Sequence, residues 1–110
     1  MSVISQVQAE HKSPFMAVAS VQHIDGRKMI HRLCKHFSHK IDAGWNDNQG
    51  YIEFAMGVCD MSADEQAIHL HCGSGSQAEL DEIVDCINVH FQRFAKSFDF
   101  TLHWNYNHKS

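Results

Sequence analysis

The sequence predicts an α+β fold: a two-layer sandwich with two helices packed on one face of a mostly antiparallel sheet. Two segments repeat apolar residues at helical spacing, several others alternate apolar with polar residues, and short turns join most of the alternating segments. A doubly wound parallel sheet would instead need a crossover helix between successive strands, and no glycine-rich nucleotide loop is present. At 110 residues the chain has the length of one domain. A domain this size buries roughly two-thirds of its unfolded surface, enough to fold without a metal or disulfide staple.

Residues 1–13 lack a clear period and read as a loose N-terminal arm, with 14–110 as the single domain. Phe15, Ala17, Ala19 and Val21 give the first strand an apolar face. Asp25 and Gly26 open the first helix, in which Met29, Ile30, Leu33, Cys34 and Phe37 form one stripe. Ile41, Ala43 and Trp45 alternate, a turn follows at 46–50, and Tyr51–Phe54 resumes the alternation. Gly57 interrupts that strand, and the apolar phase moves to Cys59 and Met61, a pattern that predicts a β-bulge. Ile68, Leu70 and Cys72 mark another strand. Ser76-Gln-Ala-Glu79 is a capping box, after which Leu80, Ile83, Val84, Ile87, Phe91, Phe94, Ala95 and Phe98 keep helical spacing. Phe98, Phe100, Leu102, Trp104 and Tyr106 alternate as a closing strand. The predicted order is β-α-β-β-β-α-β.

Composition excludes several functions. No apolar stretch approaches the ~18 residues of a membrane span. The first ten residues do not have the form of a secretory signal, so a cytoplasmic location is expected. The net charge is −4, and nine Lys and Arg dispersed along the chain argue against nucleic acid as a partner. Four cysteines without a C-x-x-C pair read as free thiols in a reducing compartment, each ordinarily a small buried hydrophobe. Histidine is unusually abundant, with ten residues. No G-x-S-x-G, H-E-x-x-H or activated-thiol arrangement supports catalysis.

Helical geometry narrows the histidine-rich run His31–Lys40. Advancing ~100° per residue puts His36 and Lys40 on one border of the first helix's apolar stripe, Cys34 and His31 on the other. His39 points away from the core, although His36 and His39 at i and i+3 can meet. On the second helix, Cys86, His90 and Arg93 line a semi-polar edge. If that edge faces His36, the candidate metal ligands are His36, His39, Cys59 and His90, and the candidate cofactor-binding residues are His36, Lys40, Cys59, His90 and Arg93. The ordinary role of His36 and His90 is a border histidine bonded to backbone or carboxylate. His69-Leu-His71 projects two rings from one strand face, usually an incidental pairing.

The run Leu33-Cys-Lys-His36-Phe-Ser-His39-Lys40, then Gly50-Tyr-Ile52-Glu-Phe54 to Gly57-Val-Cys59, then His90-Phe-Gln-Arg93-Phe94-Ala95, resembles the bacterial family called domain of unknown function 2218. The likeness spans about residues 15–105. Members of that family are small proteins or domains associated with siderophore-interacting flavoproteins, so the resemblance implies a setting in iron acquisition. His36, His39, Lys40, Cys59, His90 and Arg93 match its pattern. The chain has no flavin or nicotinamide portion, and no reductase activity is carried over.

Two readings follow. One is a non-catalytic binding module that holds iron, another transition metal, haem or an iron–siderophore complex. The other is a ligand-free interaction domain that docks to a ferric-siderophore reductase or to a second copy of itself as a homodimer. An enzymatic reading requires His36, Cys59 and Lys40 to converge in one pocket.

Overall fold

The computed structural model describes residues 14–95 and 102–108. The arm expected at 1–13, and Phe98 and Phe100 of the expected closing strand, lie outside them. Six strands and two helices follow in the order β1 (Phe15–Gln22), α1 (Gly26–Phe37), β2 (Asp42–Trp45), β3 (Gln49–Phe54), β4 (Gly57–Ala63), β5 (Ala67–Ser74), α2 (Gln77–Ala95) and β6 (Asn105–His108). They form one sheet of order β2-β3-β4-β5-β1-β6, antiparallel at every pairing. The fold is α+β, as expected. From β1 inside the sheet the chain crosses over through α1 to the far edge, and returns by the β2–β5 meander to pair β5 with β1. It then crosses through α2 and adds β6 to the other side of β1.

One more strand is present than the alternation predicts. The expected bulge at Gly57 is a hairpin: Phe54 pairs with Gly57 around the turn residues Ala55 and Met56, giving β-α-β-β-β-β-α-β. A bulge and a two-residue turn both switch the parity of the inward positions, here from Ile52 to Cys59, so periodicity alone does not separate them. The turn also lacks the usual signal, because neither of its central residues has positive φ. Ser74 Oγ donates to the Met56 carbonyl at 2.5 Å and ties the turn to β5. A Cβ on Gly57 would collide with the Gly73 carbonyl, so glycine is needed for close strand approach rather than for a bulge.

The capping signals act as read. Asp25 accepts from Lys28 N–H at 3.3 Å at the start of α1, and Ser76 Oγ accepts from Glu79 N–H at 3.2 Å at the start of α2. From α1, Met29, Ile30, Leu33 and Cys34 are buried; from α2, Leu80, Ile83, Val84, Ile87 and Phe91 are. They pack on the inward sheet positions Ala17, Ala19, Ile52, Cys59, Met61, Ile68, Leu70 and Cys72. Gly50 sets how closely α1 lies on β3, since a Cβ there would come 2.7 Å from Ile30 Cγ2 and 2.8 Å from Cys34 Sγ. The closing strand is shorter than predicted, its ladder running from Asn105 beside Val18 to His108 beside Phe15. Leu102 is buried ahead of it, and Trp104 Nε1 donates to Asn88 Oδ1 at 2.8 Å.

Candidate functional site

The last turn of α1 lies beside His90 of α2, and the end of α2 lies back along α1 beside Lys28 and Arg32. His36 in the last turn of α1 faces His90 of α2, with ring centroids 4.9 Å apart. Phe94 lies edge-on to His36 at 5.6 Å, and Phe37 stands 4.8 Å from His90 and 5.6 Å from Phe54. The two histidines are therefore each in ring contact with Phe37 and Phe94, and Phe54 backs Phe37. Arg32, one turn earlier on α1, donates from Nη1 to the Phe94 carbonyl at 3.2 Å, satisfying a carbonyl at the open end of α2.

The edge is cationic on a chain of net negative charge. From Gly26 to Lys40 there is no Asp or Glu, while Arg27, Lys28, Arg32, Lys35 and Lys40 alternate with three histidines. Arg27 turns aside toward Glu65, 3.8 Å away. Lys28 stands in the first turn of α1, whereas Arg32, Lys35, Lys40 and Arg93 surround His36. Each helix C-terminus carries about half a negative charge. Two such ends roughly offset one cation, whereas Arg32, Lys35, Lys40 and Arg93 supply one full charge each. The side chains win, and the edge stays positive. His36 is exposed, yet slight desolvation against its neighbours lowers its pKa from 6.5, and the charges of His90, Arg93, His39 and Lys40 lower it further, so the ring is mostly neutral at pH 7.

Beside His36 an open groove of about 470 Å³ is lined by His31, Arg32, Lys35, His36, His39 and Phe94. Trp45 flanks it, its ring 5.3 Å from His31. The lining offers guanidinium, ammonium and imidazole donors, an aromatic face and no carboxylate. That chemistry suits an anion carrying aromatic or apolar surface.

The sequence-predicted residues divide accordingly. His36, His39, Lys40, His90 and Arg93 come together. Cys59 does not sit on this edge: it is fully buried in the sheet-side core opposite Cys72. His90 Nδ1 lies 2.7 Å from the Cys86 carbonyl, which can only accept, so Nδ1 carries a proton, and in that tautomer Nε2 is the nitrogen that can accept or ligate. Cys86 Sγ is 3.8 Å from that Nδ1. Burial, and then the nearby Cys59, push the Cys86 thiol up, so it gains no nucleophilic activation there. Among the described residues, no group of three or more His, Cys, Asp or Glu side chains is placed to hold a metal ion. His69 and His71 have local partners, with Ser20 Oγ 2.7 Å from His69 Nδ1 and Met16 Sδ 3.3 Å from His71 Nε2. Arg32, Lys35 and His31 escaped the sequence reading. Their signal is the acid-free basic run at helical spacing, which reads as dispersed charge until it is placed on one helix.

Residues 18–105 match the family described as an uncharacterized protein conserved in bacteria, domain of unknown function 2218. The chain belongs to this family. The fold is also that of a protein from Pseudomonas aeruginosa, PA4090, solved by NMR. The two share 24% identity, with a TM-score of 0.74 over 87% of this chain and 99% of the other. No curated protein matches the chain. No described helix is long and apolar enough to cross a membrane.

Proposed function

We propose that this family member is a small non-catalytic binding module whose His36/His90 edge holds an anionic iron complex. The observation that carries the reading is the apposition of His36 and His90 at 4.9 Å beside a cationic, carboxylate-free groove that His36 lines. The pair offers two imidazoles, and a bare transition-metal ion wants at least one further protein donor. A chelate brings its own donors, leaving the protein to supply charge, hydrogen bonds and an aromatic wall. Iron in particular rests on the siderophore setting that the family resemblance implies. The alternative, docking to a flavoprotein ferric-siderophore reductase, draws on the same cations, which an acidic protein surface would also satisfy.

Titration of the purified chain with a ferric tris-catecholate, followed by tryptophan fluorescence, tests the reading. Saturable binding that weakens with salt is expected. The His36→Ala/His90→Ala variant should bind at least about tenfold more weakly, a loss of ~1.4 kcal/mol. Equal binding to wild type and variant would sink it. Binding of iron-free catechol with the same affinity would retain the anion site and remove iron.

A further inference from the structure

We infer that Cys59 and Cys72 form a redox couple that closes into a cross-strand disulfide when hydrogen peroxide reaches the core. The two residues are 13 positions apart in sequence yet are direct partners across β4 and β5, both fully buried. The kind of pairing follows from the hairpin that joins these strands. Asp64 N–H donates to the Ala67 carbonyl at 3.1 Å, which makes Asp64 and Ala67 a hydrogen-bonded pair. Hydrogen-bonded and non-hydrogen-bonded pairs alternate along an antiparallel ladder. Counting back through Ala63–Ile68, Ser62–His69, Met61–Leu70 and Asp60–His71 makes Cys59–Cys72 a non-hydrogen-bonded pair. The Ala63 N–H agrees, since it bonds Asn48 on the β3 side rather than β5.

That class brings Cα atoms to ~4.5 Å and side chains closest together. A disulfide spans Cα separations of ~4.4–6.8 Å, so the backbone already has the required approach. Neither of the other thiols has such a partner. Cys34 Sγ points at the Tyr51 carbonyl at 3.7 Å, and Cys86 stands on α2 beside His90. Contact with the Cys72 thiol, then burial, push the Cys59 pKa well up, so Cys59 rests as a thiol.

The chemistry balances with the peroxide as the sole oxidant. Once local opening lets one sulfur lose its proton, that thiolate attacks the O–O bond of hydrogen peroxide, giving a sulfenic acid and, with the released proton, one water. The other thiol then displaces the hydroxyl as a second water and forms the S–S bond, so two thiols are oxidised and one peroxide reduced. Because both sulfurs are buried, the rate follows local opening of the core rather than surface encounter.

Hydrogen peroxide treatment of the full chain, followed by alkylation under denaturing conditions and mass mapping, tests this. The product should have lost two hydrogens, should take two alkyl groups where the reduced chain takes four, and should yield a Cys59–Cys72 linked peptide that dithiothreitol separates. Cys86→Ala should still form the link, and Cys72→Ala should not. Four alkylated thiols, oxygen adducts confined to Cys86, or a link joining any other pair would overturn the assignment. Mapping the wild-type chain decides the matter even if Cys72→Ala fails to fold.

Discussion

Replacing Gly50 by alanine tests the contact on which the site depends, the seating of α1 against β3. The added Cβ would stand 2.7 Å from Ile30 Cγ2 and 2.8 Å from Cys34 Sγ, both closer than side-chain carbons pack. Ile30 and Cys34 are fully buried, so neither can swing into solvent. Overpacking of this kind costs about 1–3 kcal/mol. Against it, losing glycine's backbone freedom in the unfolded chain returns about 0.4–1 kcal/mol. The net expectation is a destabilisation of about 1–2 kcal/mol, or roughly 4–16 °C in Tm for a domain this size. Urea denaturation should show a lower midpoint with the slope unchanged. Cys34→Ala removes one of the two obstructing atoms and leaves a small void, which the alanine at position 50 would partly fill. The double variant should therefore lose less than the sum of the single losses. A neutral or stabilising Gly50→Ala, or strict additivity in the cycle, would refute the packing argument.

Four further outcomes are expected. His36 has a folded pKa below its ordinary 6.5, so its contribution to stability is present above that value and lost as pH falls through the lowered one; urea midpoints from pH 8 to 5 should fall less steeply in His36→Ala. Burial, chiefly, pushes the Cys34 thiol up to about 12, so it should resist alkylation in the folded chain at pH 8 and react on unfolding, as peptide mapping will show. Phe91→Ala empties a fully buried site on α2 and should cost about 3–5 kcal/mol by chemical denaturation. Ser76→Ala removes the oxygen that accepts from Glu79 N–H and should cost about 1 kcal/mol, while Ser76→Gly should cost only a few tenths.

Periodicity and capping were local enough to be read directly. The buried stripes Met29–Ile30–Leu33 and Leu80–Ile83–Val84–Ile87–Phe91, and the inward faces of β1 and β5, stand where the repeat of apolar residues put them. The Ala55–Met56 hairpin was illegible because a turn without positive φ needs no special residue and shifts parity just as a bulge does. Half of the candidate site followed from helical angles alone, which placed His36 on the flank of α1 and His90 on that of α2. The rest required distances: Cys59 joined neither, because β4 turns it into the core against Cys72.

The sequence by itself determined which residues are apolar, where helices begin and which faces they bury, because those are consequences of spacing along one chain. Only the tertiary structure decided which edges face one another. Basic residues that look dispersed along the text become one cationic edge, since α1 carries no acid and its last turn packs against His90 of α2. Cysteines 13 positions apart become direct neighbours for the same kind of reason. Register across strands and packing between helices are set by contacts between distant segments, and local pattern carries no record of them.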